Sequence, residues 1–142
     1  MQQLGAALIF ALPKRCLLTL SGELGAGKSV LARAMIHAAG FTGRVKSPTY
    51  TLVETYEIEA PRRDIVNIAH FDLYRLADAD ELHYLGFDDI LEQSDLVLIE
   101  WPSRADQVLR SATVRVNIEY TEDGGRRVAI ESPFEIDLSA SA

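Results

Sequence analysis

Apolar side chains recur at helical spacing in two segments of the chain. Residues 4–12 have apolar positions three and four apart, which predicts a short first helix that ends before Pro13. Residues 28–39 carry a second stripe of this spacing, and Gly40 follows where a helix commonly ends. Both segments are therefore predicted to be helices that bury one face.

Four other segments have the patterns of strands. Residues 16–20 and 95–99 are compact apolar runs, as in strands that are buried on both faces of a sheet. Apolar and polar residues alternate in 49–58, and together with 65–72 this segment predicts an antiparallel hairpin. These four segments indicate a mixed sheet.

Shorter elements complete the pattern. Residues 78–85 and 88–92 fit two short helices, each opened by an aspartate that can cap free N–H groups. An Asp-Gly-Gly turn between two strand-like segments predicts a C-terminal hairpin over about 113–131. The sequence thus predicts an α/β fold with a mixed central sheet, flanking helices and antiparallel hairpins. We expect a single domain over 1–142 with a frayed tail at 138–142.

The composition is that of a globular protein. Of the 142 residues, 48% are hydrophobic and 25% are charged, which excludes wholesale disorder. The net charge of −7 disfavours a domain that works by gripping nucleic-acid phosphates. Cys16 is the single cysteine, so an internal disulfide framework and a cysteine-based zinc site are excluded. The apolar stretch 4–12 is too short to span a bilayer and lacks signal-peptide features, so we expect a cytoplasmic protein.

The most informative segment is a glycine-rich loop. Gly22-Glu23-Leu24-Gly25-Ala26-Gly27-Lys28-Ser29 matches G-x-x-x-x-G-K-[ST] and lies between a predicted strand and a predicted helix. Glycines allow the concave backbone whose N–H groups bind phosphates, and the start of the helix adds further donors. Lys28 can contact the β and γ phosphates, and the Ser29 hydroxyl can bind Mg²⁺. The loop therefore predicts a site for a nucleoside triphosphate and Mg²⁺, in preference to a plain glycine-rich turn.

Carboxylates end two of the predicted strands. Glu100 follows the apolar run 96–99, as in a Walker B strand, whose acid holds the Mg²⁺ shell or polarises the attacking water. His70 and Asp72 alternate onto one face of an earlier strand, which makes Asp72 a second available carboxylate. Taken alone, His70 is interpreted as a hydrogen-bonded structural histidine and Arg75 as a surface charge.

Five blocks of sequence occur in an order that identifies a family. They are the phosphate loop at 21–29, Val-Lys-Ser-Pro-Thr-Tyr at 45–50, His-Phe-Asp-Leu-Tyr-Arg-Leu at 70–76, the Glu-Leu and Leu-Gly pairs at 81–82 and 85–86, and Ile-Glu-Trp-Pro at 99–102. The phosphate loop alone is generic. Together the blocks resemble the TsaE family (formerly YjeE), the bacterial P-loop ATPases of tRNA threonylcarbamoyladenosine synthesis. The resemblance covers about 4–102 and implies the P-loop NTPase fold.

The resemblance also implies a function. Members of the family work with the TsaB–TsaD pair, which attaches the threonylcarbamoyl group to adenosine 37 of tRNAs that read ANN codons. They bind that pair, hydrolyse ATP and support multiple turnover of N6-threonylcarbamoyladenosine (t6A) formation without performing the transfer. The chain would then meet tRNA only through its partners, which fits the net charge of −7. No arginine finger is obvious, so hydrolysis by the chain alone is expected to be slow.

The same resemblance implies residue roles. Lys28 would contact phosphate, and Ser29 and Glu100 would hold Mg²⁺. Asp72 and Thr49 would lie in the blocks that line the hydrolytic site, with Thr49 in a loop that resembles the switch segment of GTPases. The predicted catalytic residues are therefore Lys28, Thr49, Asp72 and Glu100.

Partner contact and two departures from the family complete these expectations. Trp101 and Arg75 are the candidates for partner contact, although the position of Trp101 equally suits the edge of the core. Ser29 stands where many members have Thr, and it retains the hydroxyl. The N-terminus is shorter than usual and lacks a strand that commonly lines the nucleotide base. We therefore expect weaker adenine affinity or a true start upstream.

Two other functions fit the phosphate loop. A small-molecule or nucleoside kinase would need an acceptor pocket and an arginine-rich lid, whereas the sequence has only scattered Arg62, Arg63, Arg75 and Arg104. A nucleotide-gated switch module is the second alternative. The sequence contains no N-K-x-D guanine-reading segment, which favours ATP over GTP.

Overall fold

Six strands form one sheet in the computed structural model, which describes residues 1–61 and 63–139. The helices are α1 (Gln2–Ala11), α2 (Lys28–Ala39), α3 (Asp80–Tyr84), α4 (Phe87–Gln93) and α5 (Asp106–Ser111). The strands are β1 (Cys16–Gly22), β2 (Val53–Glu57), β3 (Asn67–Asp72), β4 (Leu96–Glu100), β5 (Val114–Tyr120) and β6 (Arg126–Glu131). A single 3₁₀ turn, Pro102–Arg104, follows β4 among these residues.

The strand order places the phosphate loop at the centre of one sheet edge. The order is β2-β3-β4-β1-β5-β6, with β3, β4, β1 and β5 parallel and the two outer strands antiparallel. Asp72 of β3 is in register with Glu100 of β4, and Glu100 is in register with Leu20 of β1. Both carboxylates therefore end beside the loop that follows β1.

Alternate residues of the central strands belong to two hydrophobic clusters, one on each face of the sheet. Leu18 and Leu98 belong to the cluster that contains α1 and α2. Leu17 and Val97 belong to the other, which contains Leu82 and residues of α4 and α5. Because both faces are covered, β1 and β4 read as continuous apolar runs.

The predicted fold class is confirmed: the chain is a single-domain α/β protein with a mixed sheet, flanking helices and antiparallel hairpins. Residues 28–39 form a helix with the predicted bounds. The strand predicted over 49–58 is shorter, since Leu52 adopts a φ of 68° and donates its N–H to the Pro48 carbonyl, which makes 48–52 a turn. The short helix α5 is an addition to the predicted elements.

The prediction that an aspartate caps free N–H groups holds at α3, through Asp78, and is wrong at α4. Ala79 and Gly86 hold the N-cap positions of α3 and α4, and neither helix has a side-chain cap there. Asp78 lies one residue earlier and accepts the N–H of Asp80 at 2.9 Å. Asp88 lies inside the first turn of α4, because Gly86 adopts the left-handed φ of 76° between the two helices.

Two predicted features reach beyond the described residues. Arg62 of the predicted turn and residues 140–142 of the predicted frayed tail lie outside them. Among the helices that are described, none has the length and apolar character required to cross a membrane.

Cys16 is expected to be unreactive in the folded protein. It is 2% exposed, and burial raises the pKa of its thiol to about 11. At pH 8 only about one thiol in a thousand would then be ionised, and the thiolate is the form that alkylating reagents attack. Mass spectrometry of iodoacetamide-treated protein should show slow alkylation in buffer and rapid alkylation in urea. Equal rates under both conditions would contradict the predicted burial.

Candidate functional site

The predicted site residues meet at the carboxyl edge of the central strands. A cavity of about 300 Å³ lies there, a size typical of ligand clefts. The predicted residues that line it are Leu24, Gly25, Gly27, Lys28, Ser29, Thr49, Asp72, Arg75, Glu100 and Trp101. The lining does not include Gly22, Glu23 or Ala26. The carbonyls of Gly22 and Glu23 accept hydrogen bonds from Lys28, and Ala26 is buried.

Glycine is required at two positions of the loop. Gly22 has a φ of 151° and pairs with Ile118 of β5. A Cβ atom at Gly22 would lie 2.4 Å from the Ile118 carbonyl oxygen, a backbone atom that cannot move aside cheaply. Gly27 has a φ of 119° and is the N-cap of α2. The loop can therefore turn sharply from β1 into α2 only with these residues.

The first turn of α2 lines the cavity, and its N–H groups have no partner within the helix. The Leu31 N–H donates to the Gly27 carbonyl at 2.9 Å, so the N–H groups of residues 28–30 precede the first helical hydrogen bond. That turn contains no acidic residue. The positive end of the helix dipole is thus available to an anion in the cavity.

Lys28 is held inside the loop by backbone oxygens. Its Nζ atom donates to the carbonyls of Gly22 at 2.6 Å and Glu23 at 2.8 Å, and the residue is only 4% exposed. Burial lowers the pKa of the Lys28 ammonium, whereas the nearby carboxylates of Glu100 and Asp72 act in the opposite direction. The ammonium group is consequently fixed at the base of the cavity.

Glu100 is anchored through both of its carboxylate oxygens. Ser29 Oγ donates to Oε1 at 2.8 Å, and His70 Nε2 donates to Oε2 at 2.7 Å. The side chains of His70 and Glu100 are each 2% exposed. Within the described chain, His70 Nδ1 has no hydrogen-bond partner. The interpretation of His70 as a hydrogen-bonded structural histidine therefore holds for Nε2, which bonds a carboxylate of the candidate site, and not for Nδ1.

Asp72 is oriented by the segment that precedes β2. Thr49 Oγ1 donates to Asp72 Oδ2 at 3.2 Å, and the Tyr74 N–H donates to Oδ1 at 3.0 Å. Thr49 in turn exchanges a 2.8 Å hydrogen bond with Ser47. The 47–49 segment is thereby linked to a carboxylate that lines the cavity.

Trp101 covers one side of the cavity. It has a left-handed φ of 58°, which is costly for a side chain of this size, at the junction between β4 and the 3₁₀ turn. Its ring lies 4.3 Å from Lys28 Nζ and 5.0 Å from the Tyr74 ring. Trp101 therefore contacts a predicted site residue, and its role in partner contact stays a prediction.

Arg75 lies at the rim, where an aromatic ring holds it. Its guanidinium is 4.6 Å from the ring of Tyr50, which is 81% exposed. The prediction of a surface charge is consistent with the exposure of Arg75. Arg75 also lines the cavity, so its position serves both the site and the outer surface.

The oxygen atoms of the site suit Mg²⁺. Ser29 Oγ and Glu100 Oε1 are 2.8 Å apart, close to the roughly 2.9 Å between adjacent ligands of an octahedral ion with 2.0–2.1 Å bonds. Hydroxyl and carboxylate oxygens are ligands that this hard cation prefers. Across the described residues, no group of three His, Cys, Asp or Glu side chains converges on a metal position. An ion here would need phosphate or water oxygens to complete its coordination.

Several residues of the site were not predicted. Val30 and Tyr74 line the cavity. In the sequence, only their positions next to Ser29 and Arg75 could have indicated that they belong to the site. Arg126 of β6 donates to the Ala26 carbonyl of the loop at 2.9 Å. No local pattern reveals that contact, since it joins positions 100 residues apart.

Comparison with known proteins identifies relatives of this chain and of its fold. A family model described as "Threonylcarbamoyl adenosine biosynthesis protein TsaE" matches residues 1–128. The chain is 46% identical to the tRNA threonylcarbamoyladenosine biosynthesis protein TsaE of Haemophilus influenzae over 110 residues, 78% of this chain and 66% of that protein. It is 33% identical to the protein of the same name from Rickettsia felis over 130 residues, 91% of this chain and 72% of that protein. The chain thus spans about two thirds of the length of the Haemophilus relative.

A solved structure has the same architecture. The crystal structure of YdiB from Bacillus subtilis aligns with a TM-score of 0.66 and 26% sequence identity. The alignment covers 91% of this chain and 74% of that one.

Replacing His70 tests the anchoring of Glu100. In His70→Leu the buried carboxylate loses one donor, so the free energy of unfolding should fall by about 2 kcal/mol. In His70→Gln the amide nitrogen can take the position of Nε2, so the loss should be less than half as large. Urea unfolding monitored by circular dichroism gives both values. Equal stabilities of the Leu and Gln variants would show that the hydrogen bond is not what His70 contributes.

Proposed function

The chain belongs to the TsaE family, and we propose that it is a Mg²⁺-dependent ATPase that acts in tRNA threonylcarbamoyladenosine biosynthesis. The observation that carries the proposal is the placement of a phosphate loop, an ammonium group and two carboxylates around one cavity. Relatives that are 46% and 33% identical to the chain are named for this biosynthesis.

Phosphate binding follows from the loop and the start of α2. The N–H groups of residues 28–30 would donate to phosphate oxygens. Lys28 lines the cavity, and its Nζ is held by the carbonyls of Gly22 and Glu23, at 2.6 and 2.8 Å. Its ammonium group would exchange these acceptors for oxygens of the β and γ phosphates.

Electrostatic balance supports the requirement for Mg²⁺. Asp72 and Glu100 are buried carboxylates beside the place where a polyanion would bind, and their charges would repel it. Ser29 and Glu100 are the residues that would hold the ion. Mg²⁺ would supply the charge that offsets the carboxylates and phosphates during hydrolysis.

Asp72 and Glu100 are the two candidates for orienting the attacking water. Each carboxylate is fixed by two hydrogen bonds, so each can present an oxygen to water without reorganisation. Thr49 donates a hydrogen bond to Asp72, so a shift of Asp72 on nucleotide binding would also move the 47–49 segment. Arg75 is stacked on Tyr50 at the rim, which is consistent with slow hydrolysis by the chain alone.

The rim of the cavity supports a protein partner. Leu24 and Tyr50 are 70% and 81% exposed, and Arg75 and Trp101 adjoin them around the opening. We assign this surface to the TsaB–TsaD complex, which would bring tRNA into contact indirectly. The chain would then support multiple turnover of t6A formation at position 37 of tRNAs reading ANN codons, in the cytoplasm.

Variants of the site residues test ATP hydrolysis. Lys28→Ala and Glu100→Gln should each lower the turnover of ATP by about 100-fold, because a fixed charge is lost beside the reacting phosphate. Ser29→Thr keeps the hydroxyl and should stay within a few-fold of the wild type. Release of inorganic phosphate at saturating Mg²⁺ is the measurement.

Arg33→Ala and Glu131→Gln are matched controls for these variants. Arg33 lies on the exposed face of α2, and Glu131 is exposed at the end of β6. Each control makes the same charge change away from the cavity, so its turnover should equal that of the wild type. Unchanged phosphate release in both site variants would refute the active-site assignment, and transfer of phosphate to an added nucleoside would establish a kinase instead.

Coupling to t6A formation needs an assay with the partners. With tRNA in large excess over TsaB–TsaD, the wild-type chain and ATP should allow each complex to carry out many rounds of modification. Lys28→Ala should restrict the reaction to about one round per complex, whereas Arg33→Ala should behave as the wild type. Modified adenosine is measured by mass spectrometry of digested tRNA. Multiple rounds with Lys28→Ala would show that hydrolysis is not what the chain contributes.

A further inference from the structure

We propose that Arg126, on the C-terminal hairpin, is a positioning residue that orients the phosphate loop for anion binding. The proposal rests on the phosphate-binding role proposed above and adds a residue outside the loop motif. Arg126 belongs to β6, and its contact with Ala26 spans 100 positions of sequence.

The guanidinium of Arg126 is fixed in place by contacts on several sides. Its Nε donates to the Ala26 carbonyl at 2.9 Å, and its Nη1 donates to the carbonyls of Gly124 and Gly125 at 3.3 and 3.2 Å. Its Cζ atom lies 4.0 Å from the centre of the Tyr120 ring. A planar group held in this way directs its Nε–H along one line, toward the loop.

The contact with Ala26 sets the direction of the next N–H group. In a trans peptide the carbonyl of one residue and the N–H of the following residue point to opposite sides. Because the Ala26 oxygen is drawn toward the hairpin, the Gly27 N–H is turned away from it. Gly27 lines the cavity, so that N–H is turned toward the place where phosphate would bind.

Other residues of the hairpin also contact the phosphate loop, and they keep the hydrogen bond between Arg126 and Ala26, here called the tether, in register. Ile118 of β5 pairs with Gly22 at the start of the loop. The Tyr120 hydroxyl lies against the middle of the loop, where a Cβ atom at Gly25 would be only 3.1 Å from it. The hairpin therefore contacts the loop at its start, its middle and, through Arg126, near its end.

Arg126 acts through the loop and not on the ligand. The described lining of the cavity includes Gly25, Gly27 and Lys28 but not Arg126. Arg127 is the next residue of β6, is also exposed and points to the opposite side of the strand. It offers a cation of equal charge without the contact to Ala26.

The experiment compares Arg126→Met, Arg126→Gln and Arg127→Met in the full chain. Methionine removes both the donor and the charge at similar length, whereas the amide nitrogen of glutamine can take the position of Nε. Isothermal titration gives the Kd for Mg²⁺-ATP and for inorganic tripolyphosphate. Hydrogen exchange of residues 22–29 is followed in the nucleotide-free protein.

We expect Arg126→Met to raise both Kd values roughly tenfold and to speed exchange in the loop. Arg126→Gln should recover most of the affinity, and Arg127→Met should stay within about twofold of the wild type. Maximal turnover at saturating ATP should change little in all three variants, because the positioning affects binding. Thermal unfolding should confirm that each variant is folded.

Other outcomes overturn the proposal in distinguishable ways. Equal losses of ligand affinity in Arg126→Met and Arg127→Met would show that only the net charge of the hairpin matters. A loss of affinity for ATP without a loss of affinity for tripolyphosphate would show that Arg126 affects binding of the base or ribose and not of the phosphates. If hydrogen exchange of residues 22–29 is unchanged in Arg126→Met, the Arg126 contact does not hold the loop in place. Faster exchange in that variant, with no ligand binding by the wild type, would support the tether and refute the proposed function.

Discussion

Parallel pairing of β4 with β1 is the constraint on which the candidate site depends. It ends the two strands at one edge of the sheet, with Glu100 in register with Leu20 two residues before the loop begins. β3 adds Asp72 to the same row. A slip of two residues between β4 and β1 would move Glu100 by about 7 Å along its strand and out of reach of Ser29. The buried, two-sided core fixes this register, because a slip by one residue would exchange the apolar contacts of the two faces.

Charge balance is the second constraint, and it explains why the site residues are so heavily bonded to one another. Lys28, Asp72 and Glu100 are each at most 5% exposed, so one ammonium and two carboxylates share a region with little water. Every one of them has at least two hydrogen bonds, as buried charges require. These bonds also preorganise the groups, so that a ligand meets charges that are already oriented.

The predictability of the molecule follows the range of the interactions involved. The bounds of α2 are local properties, set by Gly27 before it and Gly40 after it, and the sequence predicts them. Glu100 is found because a buried strand leads into it. The predicted aspartate cap of α4 is wrong because Gly86, whose left-handed φ no periodicity signals, moved the start of that helix. The partners of His70 and Arg126 are distant in sequence, and only the packed sheet brings them together.

The loop motif is therefore only part of the proposed phosphate site. Glycines make the loop geometry possible, but they also give the unfolded loop more conformational freedom to lose than other residues would. A loop of this composition needs contacts from outside to hold its N–H groups in one arrangement. The chain provides them through the Ile118 pairing with Gly22 and the Arg126 bond to Ala26. If the loop binds phosphate as proposed, the C-terminal hairpin, which lies beyond the five sequence blocks of the family, belongs to that site through these contacts.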